Sequence, residues 1–365
     1  MRTAMQGVIR YHRSISVLLL FLSLAAFSHA QGATTIALLP FENVSGNLQS
    51  LRIIMPLIAQ HLQAKGYHVM QQDVLEPFLF RYRIRNTGML SRRHLHALRQ
   101  EWGVEQVMVG TVDLFFASSE NPQWGLSARV LSTASGNILW AASSGLSGDD
   151  FTTILGLGTI HSGERLGQEV VKALLHSLPR AGEPFPSPRR RPSGGGLFGF
   201  KAGYRSPLLD THPPRRVALL PLENASQRKG AGRILTDIFT TALFQQGRYQ
   251  VIEPGEVQEA LLSLKAMPYG GIDFKTLAGL QRRIGVDAVL LGTVYTYNEG
   301  LQKGATSSPE VALDMRMLQA KDGRILWFAT HTRKGEDFQR ILDWGKIRSI
   351  VPLALKMAQE MLETL

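Results

Sequence analysis

Two patterns of apolar residues run along this chain, and each occurs twice. Residues 36–39 and 217–220 are short unbroken apolar runs stopped by Pro40 and Pro221. Runs of this kind read as strands covered on both faces. A helical spacing follows each one. Leu51, Ile54, Met55, Ile58 and Leu62 lead to Gly66, and Ile234, Ile238, Phe239 and Ala242 lead to Gly247; glycine commonly stands just past a helix end. Residues 67–70 and 249–252 give second strands, and Ser91 and Asp273 stand where a further helix needs its N-cap. Third strands open at Gly103 and Gly285 and run to Phe116 and Tyr297.

Beyond these the alternation belongs to strands alone. Residues 125–131 and 138–144 flank Thr-Ala-Ser-Gly, and residues 312–318 and 325–330 flank Ala-Lys-Asp-Gly; the latter is a good hairpin signal. Each half closes on an amphipathic helix, through Leu166, Val170, Leu174 and Leu178 in one and Ile350, Leu353, Met357 and Met361 in the other. Pro352 falls in the first turn, where a missing N–H costs little. The predicted order in each half is β-α-β-α-α-β-β-β-α. This is an α/β fold, an α+β sandwich on a mixed sheet whose tail is antiparallel.

The halves also repeat residue by residue. T-I-A-L-L-P-F-E-N-V-S at 35–45 returns as R-V-A-L-L-P-L-E-N-A-S at 216–226, and G-V-E-Q-V-M-V-G-T-V at 103–112 returns as G-V-D-A-V-L-L-G-T-V at 285–294. Gly136-Asn-Ile-Leu-Trp140 returns as Gly323-Arg-Ile-Leu-Trp327, and the spacing between copies drifts only from 181 to 187 residues. We expect two tandem domains, residues 33–178 and 215–365. Each is of a size that buries about 70% of its unfolded surface and folds alone.

Residues 179–214, with eight of the seventeen prolines, Arg189, Arg190, Arg191 and the Gly194-Gly-Gly196 triplet, read as the linker. Its Phe185, Phe198, Phe200 and Tyr204 are unusual in a spacer and suit docking on a neighbouring domain.

The first thirty residues read as a cleaved secretory signal. Arg2, Arg10 and Arg13 precede an apolar run at 16–27, and Ser28-His-Ala30 offers small residues for cleavage. The run is short of the about 20 residues that span a bilayer. Cysteine is absent, which excludes disulfides, cysteine-based metal sites and a lipid anchor on a processed cysteine. Loss of the three leader arginines lowers the net charge from +11 to +8. The excess gathers in the linker and at Arg81, Arg83, Arg85, Arg92, Arg93 and Arg99. In an exported chain this favours an anionic membrane surface or an acidic partner over nucleic acid. Solvated surfaces on two ordinary basic domains fit equally well.

Candidate chemistry is sparse. Glu42, Asn43 and Ser45, with Glu223, Asn224 and Ser226, follow the first strand of each half, at the sheet end where open α/β folds bind ligands. Asn and Ser at such positions also cap loops and helix starts, and that structural role is the stronger expectation. His94 and His96 are two apart on a helix and do not share a face. No Gly-x-Ser-x-Gly elbow or Walker loop is present. Gly156, Gly158 and Gly163 faintly suggest a phosphate loop that the second half does not repeat. No catalytic, metal or cofactor site is predicted.

The motif set as a whole resembles the periplasmic domain of the CsgG family, the curli secretion proteins; related α/β domains occur in LpoB and the N-terminal part of TolB. The resemblance implies a non-catalytic protein facing the periplasm, exported by its signal and associated with the outer membrane. It implies binding to envelope or secretion proteins and leaves a homo-oligomer open. The alternative is a subunit of an oligomeric outer-membrane export complex. CsgG is lipidated, carries a single copy of the domain and extends two long hairpins per subunit into a pore. Here there is no cysteine to lipidate, two copies are present, and residues 112–131 and 140–155 leave no room for such hairpins. The pore is not carried over.

Overall fold

The computed structural model describes residues 34–70, 72–152, 157–188, 200–267, 271–301, 308–339 and 345–365. The expected leader, Arg189–Arg191 and Gly156 lie outside the described residues.

The first half runs β1 (Thr35–Leu38), β2 (Glu42–Asn43), α1 (Gln49–Ala64), β3 (His68–Met70), α2 (Gln72–Arg81), α3 (Arg92–Trp102), β4 (Gln106–Phe116), β5 (Gln123–Ser132), β6 (Ile138–Ser147) and α4 (Gly163–Leu175). Between the halves come β7 (Tyr204–Arg205) and the single turn α5 (Leu208–Thr211). The second half runs β8 (Arg216–Leu219), β9 (Glu223–Asn224), α6 (Ala231–Gln246), β10 (Gln250–Val251), α7 (Pro254–Ser263), α8 (Phe274–Ile284), β11 (Ala288–Asn298), β12 (Glu310–Gln319), β13 (Ile325–Lys334) and α9 (Ile350–Leu362).

The two sheets share one topology. Sheet A has the order β3-β1-β4-β5-β6 and sheet B the order β10-β8-β11-β12-β13, with β7 added at its edge. In both, the first pairings are parallel and the long tail strands antiparallel. The predicted element order holds. Two-residue strands β2 and β9, which add a parallel rung to β4 and β11, are additions.

Equivalent residues hold equivalent joints. Trp140 donates to Ser177 Oγ at 3.0 Å and Trp327 to Thr364 Oγ1 at 2.9 Å, tying each sheet to the end of its closing helix. Gly110 and Gly292 are points of close approach: a Cβ would stand 2.4 Å from the Phe41 ring in one and 2.1 Å from the Asp314 carbonyl oxygen in the other. The irregularity in each long strand falls later, between Val112 and Leu114 and between Val294 and Thr296. Asp273 caps α8, accepting from Thr276 N at 2.7 Å. Ser91 has the extended N-cap backbone but no cap bond, and its hydroxyl meets His94 Nδ1 instead.

Layering follows from which strand faces are apolar. Ile36, Leu38, Trp124, Leu126, Ala128 and Val130 turn one face of sheet A to α1 and α4. Ala37, Leu39, Val107 and Val109 turn the other face toward α2, α3 and the second half's α6 and α9, in one continuous core. That core extends through α6 and α9 to Val217, Leu219, Leu313, Met315 and Trp327 on sheet B. The far face of sheet B is covered at one end by α7 and α8, through Val257, Leu261, Leu277 and Leu280. Helices α6 and α9 are thus sandwiched between two sheets, which explains why α6 is buried at twelve positions and α1 at only four.

The inter-repeat segment is docked where it is described. Phe185 packs on the first-half core and Phe200 stacks on His331, ring centroids 4.1 Å apart. Tyr204–Arg205 pairs with Trp327 and Phe328. The docking that the linker aromatics suggested is seen at Phe185 and Phe200, which find apolar parts of the domains, and the backbone at Tyr204 and Arg205 adds a short edge strand to sheet B.

Candidate functional site

The polar residues marked in the sequence divide into two groups. Asn43 Oδ1 accepts from Ser45 N at 3.1 Å and from Ser45 Oγ at 2.7 Å, and its amide donates to Asn47 O at 2.8 Å. Asn224 makes the same bonds to Ser226 N and Oγ, at 3.1 and 2.6 Å, and to Arg228 O at 2.8 Å. These are side-chain-closed turns at the entry to α1 and α6, the role that Asn and Ser play in loops. Glu42 does something else. Its Oε2 lies 2.9 Å from Arg233 Nη2, an ion pair that crosses from the first half to the second.

That pair opens onto a charge network sealed between the halves. Strand β5 alternates, so Trp124, Leu126, Ala128 and Val130 take one face and Gly125, Ser127, Arg129 and Leu131 the other. Arg129 is 1% exposed. Its Nη1 donates to Asp237 Oδ1 of α6 at 2.7 Å. Its Nε and Nη2 donate to the two oxygens of Glu253, both at 3.1 Å, a bidentate fork. Nη2 also donates to Gly88 O at 2.9 Å. Thr111 Oγ1 and Arg233 Nε both donate to Asp237 Oδ2 at 2.9 Å.

Gly88 lies close against the Glu42–Arg233 pair: a Cβ would sit 2.6 Å from Arg233 Nη2 and 2.8 Å from Glu42 Oε2, so a larger residue would have to push the two ends of the pair aside. A rim of weaker links surrounds the centre. Ser143 meets Thr241 at 3.3 Å, Gln245 donates to Ala141 O at 3.1 Å, and Arg92 N donates to Glu256 at 2.8 Å.

The electrostatics follow the partners. Burial alone raises the Asp237 carboxyl, but Arg233 and Arg129 outweigh it and hold the pKa below the ordinary value. For Glu253, burial outweighs Arg129 and the pKa ends above the ordinary value. Glu42 is raised in the same way, burial exceeding the pull of Arg233. Arg129 keeps its proton firmly, since the two carboxylates more than offset its desolvation. Asp113 is the exception in kind. It is fully buried, and burial pushes its carboxyl well above the usual range despite the bond donated by Ser127 Oγ at 2.7 Å. Its Oδ1 has no partner among the described residues. Asp113 thus sits beside the network with its neutral form favoured by burial.

Sequence reasoning passed over Arg129, Asp237, Glu253 and Asp113. Two signals pointed to them. α6 sets Asp237 among apolar and threonine side chains, with no other acid and no lysine in its sixteen residues. β5 and β6 carry Gly125, Ser127, Ala141, Ser143 and Gly145 where an exposed face carries bulk or charge.

The remaining candidates are quieter. His94 is half-buried and His96 exposed. Gly163 is the first residue of α4. An open cleft of about 940 Å³ is lined by Arg205, Asp210, Arg248 and Leu365, among others. Two of its three arginines are engaged, Arg205 with both oxygens of Asp210 at 2.7 Å and Arg248 with Leu365 O at 3.0 Å. Among the described residues no cluster of three or more His, Asp or Glu is placed to hold a metal, and no helix is long and apolar enough to cross a membrane.

With this geometry in hand, the chain can be set against known proteins. The class it defines is an α+β sandwich with two mixed sheets of one topology, joined through a buried charge network. Residues 216–341 match the model of the family described as curli production assembly/transport component CsgG. No curated protein sequence matches the chain. Among solved structures it is similar to the PelC dodecamer from Paraburkholderia phytofirmans, at 18% identity over 41% of this chain and 87% of that one, with a TM-score of 0.29. It is also similar to lipoprotein GNA1162 from Neisseria meningitidis (21% identity, 39% and 96% covered, TM-score 0.30). A further match is the LpoB C-terminal domain from Salmonella enterica (16% identity, 37% and 86% covered, TM-score 0.26).

Proposed function

We propose that this protein is a non-enzymatic adaptor of the cell envelope. It is exported to the periplasm by a cleaved signal at residues 1–30 and carries two CsgG-type domains in tandem, residues 33–178 and 215–365. It binds proteins of an outer-membrane assembly or secretion system.

The observation that carries this reading is the charge network between the halves. Of the polar residues of the repeat that a ligand would use, Asn43, Ser45, Asn224 and Ser226 are consumed by turns, Glu42 by that interface and Glu223 by its own sheet. What they build is a fixed two-domain body with one sheet face open. The CsgG-family match of the second half supports the setting. The exposed Arg81, Arg83, Arg85, Arg92, Arg93 and Arg99 support peripheral contact with an anionic surface; only Arg81 has an ion pair among the described residues, with Glu101 at 2.9 Å. Contacts of this kind weaken as salt rises.

Light scattering on a sizing column, with residues 31–365 and with or without mild detergent, tests the reading. The adaptor is a monomer or dimer in both conditions, and it leaves membranes in salt. A discrete large oligomer that needs detergent to leave membranes would overturn it in favour of a ring-forming export subunit.

A further inference from the structure

The two sheets present the same face to different surroundings. On sheet A that face carries Thr111, Ser127, Arg129, Ala141, Ser143 and Gly145, and all of it is covered by the second half. Strand for strand, sheet B places Thr293, Asp314, Arg316, Phe328, Thr330 and Thr332 there. Beyond the reach of α7 and α8 this face is open: Phe328, Thr330 and Thr332 are exposed, and Tyr295 is 51% exposed. Asp314 is held within its own sheet, by Tyr295 OH at 2.7 Å and by Thr293 N at 3.0 Å. Arg316 is not. It occupies Arg129's position and makes no hydrogen bond or ion pair with any described residue.

We infer that the open face of sheet B is a docking surface for a helix of another protein that presents a carboxylate to Arg316, as α6 presents Asp237 to Arg129. This deepens the adaptor reading and rests on it. Continuity with the interface inside the chain supplies the template. One sheet of this fold already receives a helix through a central arginine, and the second repeats the sheet and the arginine.

In a second copy of this chain, the outward counterpart of α6 does not fit the surface. That copy's α6 and α9 are already enclosed between its own sheets. Among its outward helices α1 corresponds to α6, and α4, which carries Glu164 and Glu169, corresponds to α9. The matching bonds Phe41 N to Met55 Sδ and Leu222 N to Thr236 Oγ1 put Pro56 where α6 has Asp237. α1 contains no acidic residue at all, and Gln71 follows β3 where Glu253 follows β10. The seat also differs in shape. Gly125 and Gly145 let α9 approach so closely that a Cβ would meet Val351 Cγ2 at 2.6 Å and Ser349 Oγ at 2.8 Å. Ala312 and Thr332 take those places on sheet B, with Phe328 at the position of Ala141. The partner therefore stands farther off than α9 does and covers an aromatic ring. That suits a separable partner better than a permanent core.

The test uses the full chain in the cells that make it, with a photo-crosslinking phenylalanine derivative at Thr330 and, separately, at Gln168 on the exposed side of α4. The expected result is one discrete adduct from Thr330 to a different protein, its contact helix mapped by mass spectrometry. Arg316→Glu lowers the yield at least tenfold, with an unchanged melting temperature. Reversing the mapped Asp or Glu of the partner to Arg restores the adduct with Arg316→Glu.

A Thr330 adduct to a second copy, or one indifferent to Arg316→Glu, overturns the inference. Adducts from Gln168 alone overturn it while sparing the adaptor reading, and no adduct from either position counts against both.

Discussion

Arg129 and Arg316 occupy the same point of the same sheet, one repeat apart, and their surroundings are opposite. Arg129 is sealed by two carboxylates and a carbonyl brought by loops and helices on both sides of the interface. Arg316 is half-buried on a face that no described helix covers at that end. The fold itself does not decide between these fates. Small residues on β5 and β6 open a seat on sheet A, and Asp237 and Glu253 supply the counter-charges. Where Phe328 and Thr332 replace Ala141 and Gly145, and the outward helix lacks acids, the same sheet stays a surface. A duplicated domain thus becomes one body by specialising a single interface.

The largest test of the contrast is removal of each arginine. Arg129→Ala leaves two carboxylates buried without their cation and is expected to destabilise the protein by about 3–5 kcal/mol. Arg316→Ala is expected to change stability by at most about 0.5 kcal/mol, as surface substitutions do. Denaturant midpoints of the two variants measure both. Equal losses would mean that sheet B's arginine is as enclosed as sheet A's.

Next comes bulk. Gly145→Val drives a side chain into Ser349, Pro352 and Val351, and overpacking of this kind costs about 1–3 kcal/mol. Thr332→Val, at the equivalent open position, is expected to be near neutral in the same thermal unfolding assay.

Charge state sharpens the comparison further. Asp113 has a raised folded-state pKa, so its contribution is fully present below the unfolded value of 3.8 and is lost as pH rises through the folded one. Asp113→Asn is therefore expected to gain on the parent chain as pH climbs from acid toward neutrality. Asp237 carries the opposite sign: its depressed pKa stabilises above the unfolded value and fails as pH falls through the folded one. Melting temperatures of the parent and Asp113→Asn chains across this range check the first sign, and a constant difference would contradict it.

The smallest effect is one the repeats should share. Asn43→Ala and Asn224→Ala each remove a turn's acceptor and donor, with matched losses of about 0.5–1.5 kcal/mol expected by chemical denaturation. Unequal losses would mean that one turn has a further role.

Much of this architecture is legible in the sequence, because it is local. The apolar runs before Pro40 and Pro221, the helical spacing from Leu51 and the Asp322-Gly323 hairpin turn each report on their own neighbourhood. So do the Asn43 and Asn224 turns, whose partners lie two to four residues away. The network is not local. Arg129 and Asp237 are 108 residues apart, and Arg129 and Glu253 are 124 apart. An arginine in a strand looks the same in sequence whether solvent or a carboxylate awaits it. Ile234, Ile238, Phe239 and Ala242 read as one stripe of an ordinary amphipathic helix, and composition does not separate α6 from α1, which is as apolar but buried at four positions rather than twelve. The linker was legible in part: its aromatic residues suggested docking, but the apolar edges that receive Phe185 and Phe200 belong to other elements and were not.

The central claim is that the buried network makes the two halves unfold as one. Trp124 lies in the first half and Trp327 in the second, both fully buried. Two chains, each keeping only one of these tryptophans and carrying phenylalanine at the others, allow fluorescence to follow each half through a guanidinium titration. Coincident midpoints and slopes are the predicted result. A first-half transition that separates from the second, with Arg129 intact, would contradict it.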